Sequence, residues 1–223
     1  MDAIEGAAQP RDEEQVQRAV VVGAGIAGLA AALRLHQQGW DVLMVERAQG
    51  RRSSGYLVNL HGPGYDAAER LGLLPALAPR DIGFFTSILV HADGREKLTV
   101  PAGVAQTAVG GRALTVFRGD LESVLYEALA DAVAIRFGTT VQAVTQNPGE
   151  VDITLSDGDC VQAELLIGAD GLHSRIRELV FDTEVDCLVN LRHWWERSRW
   201  NRFPSTFRKE PAPRSSGPGA RRR

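Results

Sequence analysis

An α/β fold is predicted by three observations in the 223-residue sequence. Val20, Val21 and Val22 form a short β-branched apolar run, the mark of a buried strand. Gly23, Gly25 and Gly28 follow at once in the pattern G-x-G-x-x-G, and residues 29–38 are then rich in good helix formers. Residues 42–45 are apolar again and end on Glu46. Strand, glycine turn, helix and second strand in this order make a Rossmann-like βαβ unit. Gly39 stands where a helix is usually ended by a left-handed cap.

Each residue type has a physical job in such a unit. Gly23 permits the tight turn out of the strand. Gly25 removes a side chain where a pyrophosphate must approach the backbone. Gly28 lets the helix pack close to the sheet. The helix N-terminus presents unpaired N–H groups and a partial positive charge to phosphates. Glu46 lies 23 residues past Gly23, near the spacing expected of an acid that accepts hydrogen bonds from an adenosine ribose. Together these point to a dinucleotide site.

The remaining elements follow in order. Residues 1–17 read as a disordered lead-in rich in Asp, Glu and Gln, with no basic leader pattern. Arg51, Arg52, Ser53 and Ser54 lie in a polar loop suited either to phosphates or to solvent. Residues 56–60 read as a short strand with Asn59 near its end, and residues 62–74 as a helix stopped by Pro75. Residues 84–91 and 96–100 flank an Asp-Gly turn, which signals a hairpin. Residues 100–111 read as a loop, and residues 113–117 as a strand ending at Arg118. Asp120 is placed to cap a helix over residues 121–130. Strands are expected over 133–137, 139–146, 151–155 and 160–167, the last running straight into Gly168-Ala169-Asp170-Gly171. A short basic helix over 175–180 comes next. No repeat is visible.

Composition narrows the function classes. Hydrophobic residues make up 44% and charged residues 24%, enough apolar content for a globular core. The net charge of -3 favours no polyanionic partner, so no nucleic acid is expected. Cys160 and Cys187 form neither a disulfide framework nor a metal spacing, and His36, His61, His91, His173 and His193 show no ligand spacing. No metal is expected. The longest uncharged stretch, residues 19–33, is too short and glycine-rich to span a membrane, and a cytoplasmic protein is expected.

Three motifs carry a family resemblance. They are GAGIAG with Glu46-Arg47 beyond it, FRGDLESVLYEAL around Arg118, Leu121 and Leu125, and IGADGLHSRIR from Gly168 to Arg177. With SGYLVNLHGPGYDAAERLGLL, they resemble the flavin-dependent aromatic hydroxylases, single-component FAD monooxygenases with the para-hydroxybenzoate hydroxylase fold. The resemblance covers residues 19–181. It implies a Rossmann-like FAD-binding domain (18–81, 112–132 and 160–181), interrupted by a β-rich substrate portion (82–111) and a β-meander (133–159). It also implies that Gly23, Gly25 and Gly28 line the FAD pyrophosphate, that Glu46 binds the ribose, and that Arg47 lies beside it. By the same resemblance, Asn59 is expected in the flavin-contacting loop, and Arg118 is expected to reach FAD from its strand end. Asp170 is expected to serve both FAD and the nicotinamide donor, with Gly171 letting the backbone come close. Arg51 or Arg52 is a candidate for the donor's phosphate. The implied reaction takes NAD(P)H and oxygen and hydroxylates an aromatic or polycyclic small molecule. Pairing of Arg118 with a carboxylate, and capping of the last helix by Asp170, are the structural alternatives. A nucleotide-binding module without catalysis and a flavin-dependent dehydrogenase or reductase stay open as functions.

The sequence departs from that family after about residue 182. No Gly-Asp motif follows to meet the FAD ribityl chain. Residues 1–191 carry 15 basic and 26 acidic residues, a net of -11, whereas residues 192–223 carry ten basic and two acidic, a net of +8. Trp194, Trp195 and Trp200 fall within seven residues of that basic stretch. Residues 182–223 therefore read as a disordered basic tail. A truncated chain with an altered frame is the favoured explanation, and a basic arm for an acidic partner is the other.

Overall fold

The computed structural model describes residues 16–51, 55–129 and 132–181, together with 187 and 189. Arg52, Ser53 and Ser54, residues 1–15 of the lead-in and nearly all of the basic tail lie outside the described residues.

The βαβ unit forms as the sequence predicts: β1 (Arg18–Val22), α1 (Ile26–Gln37) and β2 (Asp41–Glu46). Gly39 takes φ +85°, the left-handed conformation that ends α1. Next come β3 (Leu57–His61), α2 (Pro63–Arg70), α3 (Leu74–Leu77) and a 3-10 turn (Ala78–Arg80). The hairpin β4 (Ser87–Val90) and β5 (Glu96–Val100) leads to α4 (Ala102–Val109), β6 (Ala113–Phe117) and α5 (Arg118–Leu129). β7 (Ala134–Phe137), β8 (Val141–Asn147), β9 (Glu150–Leu155), β10 (Cys160–Ala163), β11 (Leu165–Gly168) and α6 (Arg175–Val180) complete the described chain.

Four strands make a parallel sheet in the order β11-β1-β2-β7. Both faces of this sheet are covered, which is why the valine run is apolar without alternation. Val21 and Met44 pack on one face against α1 and α5 through Leu29, Leu33, Leu121 and Leu125. Val20, Val22, Leu43 and Val45 pack on the other face against Val141, Ile153 and Leu155 of the antiparallel sheet β10-β9-β8, and against Ile176 of α6. Helices, parallel sheet and antiparallel sheet thus form three layers.

Five local expectations are corrected. Residues 134–137 do not begin the meander; β7 is the edge strand of the parallel sheet, with Leu43 opposite Ala134. The run 160–167 is two strands, not one. It divides at Glu164, whose N–H donates to the Arg18 carbonyl and whose carboxylate accepts from the Arg18 N–H. The helix expected over 62–74 ends at Arg70, because Gly72 turns left-handed at φ +75°. Pro75 then opens α3 rather than stopping a helix, since a first-turn proline loses no hydrogen bond. Residues 102–109 are helical, not a loop, with Pro101 at the N-cap and Gly110 at the end. Finally, α5 starts at Arg118, so Asp120 lies in its first turn instead of capping it.

The hairpin differs from the layered body. Ile88, Leu89, Val90 and Leu98 are each more than half exposed. Its turn forms as expected: Gly94 has φ +82° and the Asp93 carboxylate accepts the Arg95 N–H. That bond, with the Arg95 side chain, holds the Asp93 carboxyl below its ordinary range. Cys160 and Cys187 are both exposed free thiols. Among the described residues, no helix is long and apolar enough to cross a membrane.

Candidate functional site

A cleft of about 370 Å³ opens at the carboxyl ends of β1, β2 and β11, where open parallel sheets bind their ligands. Its floor is set by adjacency. Val22 pairs with Gly168 at the last register position of β1 and β11, and the Ala169 N–H donates to the Val22 carbonyl at 2.8 Å. The loops that leave these two strands therefore rise side by side.

The three glycines serve different ends. Gly23 has φ +107°, and a Cβ there would stand 2.4 Å from the Ala169 carbonyl oxygen. It provides the turn, as its position predicts, and also the contact between the two loops. A Cβ on Gly28 would stand 1.8 Å from the Gly23 carbonyl oxygen, so this glycine closes the helix onto the turn. A Cβ on Gly25 would meet nothing within 4 Å, and Gly25 lines the cleft. Gly25 is also the N-cap of α1, which has no side-chain cap and no acid in its first turn. The N–H donors of that turn are thus left to whatever enters the cleft.

Glu46, Arg47, Arg118, Asp170 and Gly171 also line the cleft. The Glu46 carboxylate accepts the Ala24 N–H with one oxygen and the Ala48 N–H with the other, both at 2.8 Å. It ties the glycine turn to the end of β2. Asp170 accepts the Ser174 hydroxyl at 2.6 Å, and the N–H groups of Arg175 and Ile176 at 2.6 and 3.2 Å. Ser174 is the N-cap of α6, so Asp170 does reinforce that cap. Gly171 is left-handed at φ +92° with open space beside it. Arg118 is ion-paired with Glu122, the carboxylate alternative raised above.

Arg51 reaches the cleft too. Its guanidinium donates to the Ser123 hydroxyl at 2.7 Å and lies 4.4 Å over the Tyr126 ring, joining the loop after β2 to α5. Asn59 is not brought there. It sits in β3 with its side-chain carbonyl accepting from Thr115, and it does not line the cleft. Glu122, Tyr126, Thr139, Thr140 and Arg175, none of them expected at the cofactor from the sequence, line the cleft as well. For Glu122 and Tyr126 a signal existed: they lie four and eight residues past Arg118, on one helix face.

Comparison with known proteins agrees with this geometry. Residues 16–184 match the FAD binding domain family. An uncharacterized protein of Mycobacterium tuberculosis is 34% identical over 176 residues, covering 77% of this chain and 46% of that protein. The FAD-dependent monooxygenase asL4 of Sarocladium schorii is 33% identical, covering 75% of this chain and 40% of its own. Tetracycline destructase Tet(51) superposes with a TM-score of 0.62 at 29% identity, over 76% of this chain and 43% of that one. The tetrameric form of 2-methyl-3-hydroxypyridine-5-carboxylic acid oxygenase gives 0.62 at 28%, over 75% and 43%. The chain spans less than half the length of these relatives. With most of its described residues inside one family match, the chain belongs to the FAD binding domain family, and FAD is its cofactor.

Proposed function

We propose that the chain is the FAD-binding part of an NAD(P)H-dependent monooxygenase that hydroxylates an aromatic or polycyclic small molecule. The observation that carries this reading is the contact between the loops after β1 and β11, where only a glycine at position 23 leaves room for the Ala169 carbonyl. The similarity to a tetracycline destructase and to 2-methyl-3-hydroxypyridine-5-carboxylic acid oxygenase supports the substrate class.

The residues present fit FAD. Gly23, Gly25 and Gly28 and the uncapped start of α1 would hold the pyrophosphate with backbone N–H groups. Glu46 would accept from the ribose while its bonds to Ala24 and Ala48 keep it in place. Arg47 and Arg118 would meet the cofactor's polar groups, and Asp170 and Gly171 would flank its other end. Arg51, pinned by Ser123 and Tyr126, is a candidate for the donor's phosphate. FAD when bound supplies hydride acceptance and oxygen activation. The protein's part is to bind, orient and exclude water. A soluble, cytoplasmic setting fits this reading.

A second reading, FAD binding without hydroxylation, is favoured by the hairpin, whose Ile88, Leu89, Val90 and Leu98 are left exposed where a substrate portion is expected. The test is a titration of the purified chain with FAD, followed by NADH or NADPH oxidation and oxygen uptake with aromatic substrates. Saturable flavin uptake with oxygen uptake matched to ring hydroxylation is expected. Flavin uptake without hydroxylated product favours the second reading. No flavin uptake overturns both.

A further inference from the structure

We infer that Glu122 is the positioning residue for Arg118, holding the guanidinium at the cleft wall before any ligand arrives. The inference rests on the FAD reading above. Both residues lie on α5 and line the cleft. The Glu122 side chain is only 9% exposed and that of Arg118 is 23% exposed, and the two are joined through an Arg118 Nη1 donor.

This arrangement breaks three local preferences at once. Arg118 is a cation at the start of a helix, the end that favours anions. The pair runs arginine first and acid second at i,i+4, the weaker of the two orders. Glu122 is a buried carboxylate, which is costly unless it is paired. None of these choices serves the helix, and such departures concentrate at functional sites.

The other cleft acids have different tasks. Glu46 is tied to the Ala24 N–H of the glycine turn and the Ala48 N–H after β2, and Asp170 to N–H groups of α6. Glu122 is held by Arg118. A guanidinium has five N–H donors in a fixed fork. With one nitrogen committed to Glu122, the rest of the fork remains at the cleft wall for the anionic cofactor. Fixing a long side chain in advance lowers the entropy lost on binding.

The test is a double-mutant cycle with Glu122→Gln and Arg118→Met in the full chain, read by FAD dissociation constant from flavin fluorescence. In the wild-type background Glu122→Gln is expected to weaken FAD binding about ten-fold, the loss of a charge-assisted hydrogen bond. In the Arg118→Met background the same change is expected to alter binding by less than about two-fold. Equal weakening in both backgrounds overturns the inference, because Glu122 would then act through the fold. Unchanged or tighter binding by the single variant also overturns it, because the carboxylate would then be idle or merely repulsive. Should the glutamine variant not fold, Glu122→Asp carries the same comparison. A wild-type chain that takes up no FAD overturns this inference together with the reading it rests on, whereas uptake with Glu122→Gln unchanged overturns the inference alone.

Discussion

The paired loops over the cleft and the β4–β5 hairpin are both short excursions from strands, yet their surroundings are opposite. At the loops, backbone meets backbone so closely that Gly23 and Gly28 have no room for a methyl group. At the hairpin, a Cβ added to Gly94 would meet nothing within 4 Å, and Ile88, Leu89, Val90 and Leu98 remain more than half exposed. A two-stranded ribbon without a layer against it is marginal by itself. The difference teaches where the stability of this chain resides. The nucleotide-binding body carries its own three-layer core, and the hairpin adds little to it.

Substitutions on both sides of this contrast test it. Gly28→Ala and Ile153→Ala have the two largest expected effects. The new methyl at position 28 would face the Gly23 carbonyl at 1.8 Å, and backbone cannot be cleared by a rotamer change. Overpacking of this kind costs about 3 kcal/mol, measured as the shift in urea unfolding. A loss below about 1 kcal/mol, within the ordinary range for a tolerated change, would mean that turn and helix are not so close. Ile153 is fully buried between the two sheets, and truncating such a side chain costs about 2–5 kcal/mol. Ile88→Ala in the hairpin is the matched control, with an expected change within about 0.5 kcal/mol. Equal losses at positions 153 and 88 would show that the hairpin is covered in solution.

Arg112→Ala is expected to do least. Arg112 bridges exposed Asp66 and Glu69 and lies 4.8 Å over the Tyr65 ring, and exposed pairs contribute little. It carries a signed pH effect, however. The Arg112 hydrogen bond holds the Glu69 carboxyl below its ordinary value. The folded value being lowered, this contribution is present above the ordinary glutamate pKa, about 4.3, and is lost as pH falls through the folded value. Thermal midpoints measured from neutral pH downward should therefore fall slightly less steeply in Arg112→Ala than in the wild type. A steeper fall would contradict the assignment.

The βαβ unit was legible because every local signal agreed: β-branched run, glycine spacing, helix formers, Gly39 and a terminal acid. What the sequence hid was mostly pairing. Nothing local in Ala134–Phe137 says that it joins β2 in parallel rather than β8 in a meander. The apolar residues on both sides of Glu164 likewise conceal a change of sheet. α4 was hidden by Gly103 and by the absence of a polar cap. At the site, Gly23, Glu46 and Asp170 announce themselves by position, and all three reach the cleft. Asn59 does not, because its side chain is committed to Thr115 across β3 and β6. A charged residue in a helix ordinarily faces water, so the sequence does not mark Glu122 as the buried residue it is.

If the glycine turn and the aspartate loop hold FAD between them, Gly25 offers the cleanest probe. Added side-chain atoms there start in open space, so Gly25→Val should leave the unfolding midpoint nearly unchanged while filling the place a pyrophosphate needs. In a flavin fluorescence titration, saturable FAD uptake by the wild-type chain is expected, and its loss in a folded Gly25→Val protein. FAD uptake by that variant equal to the wild type would contradict this placement of FAD.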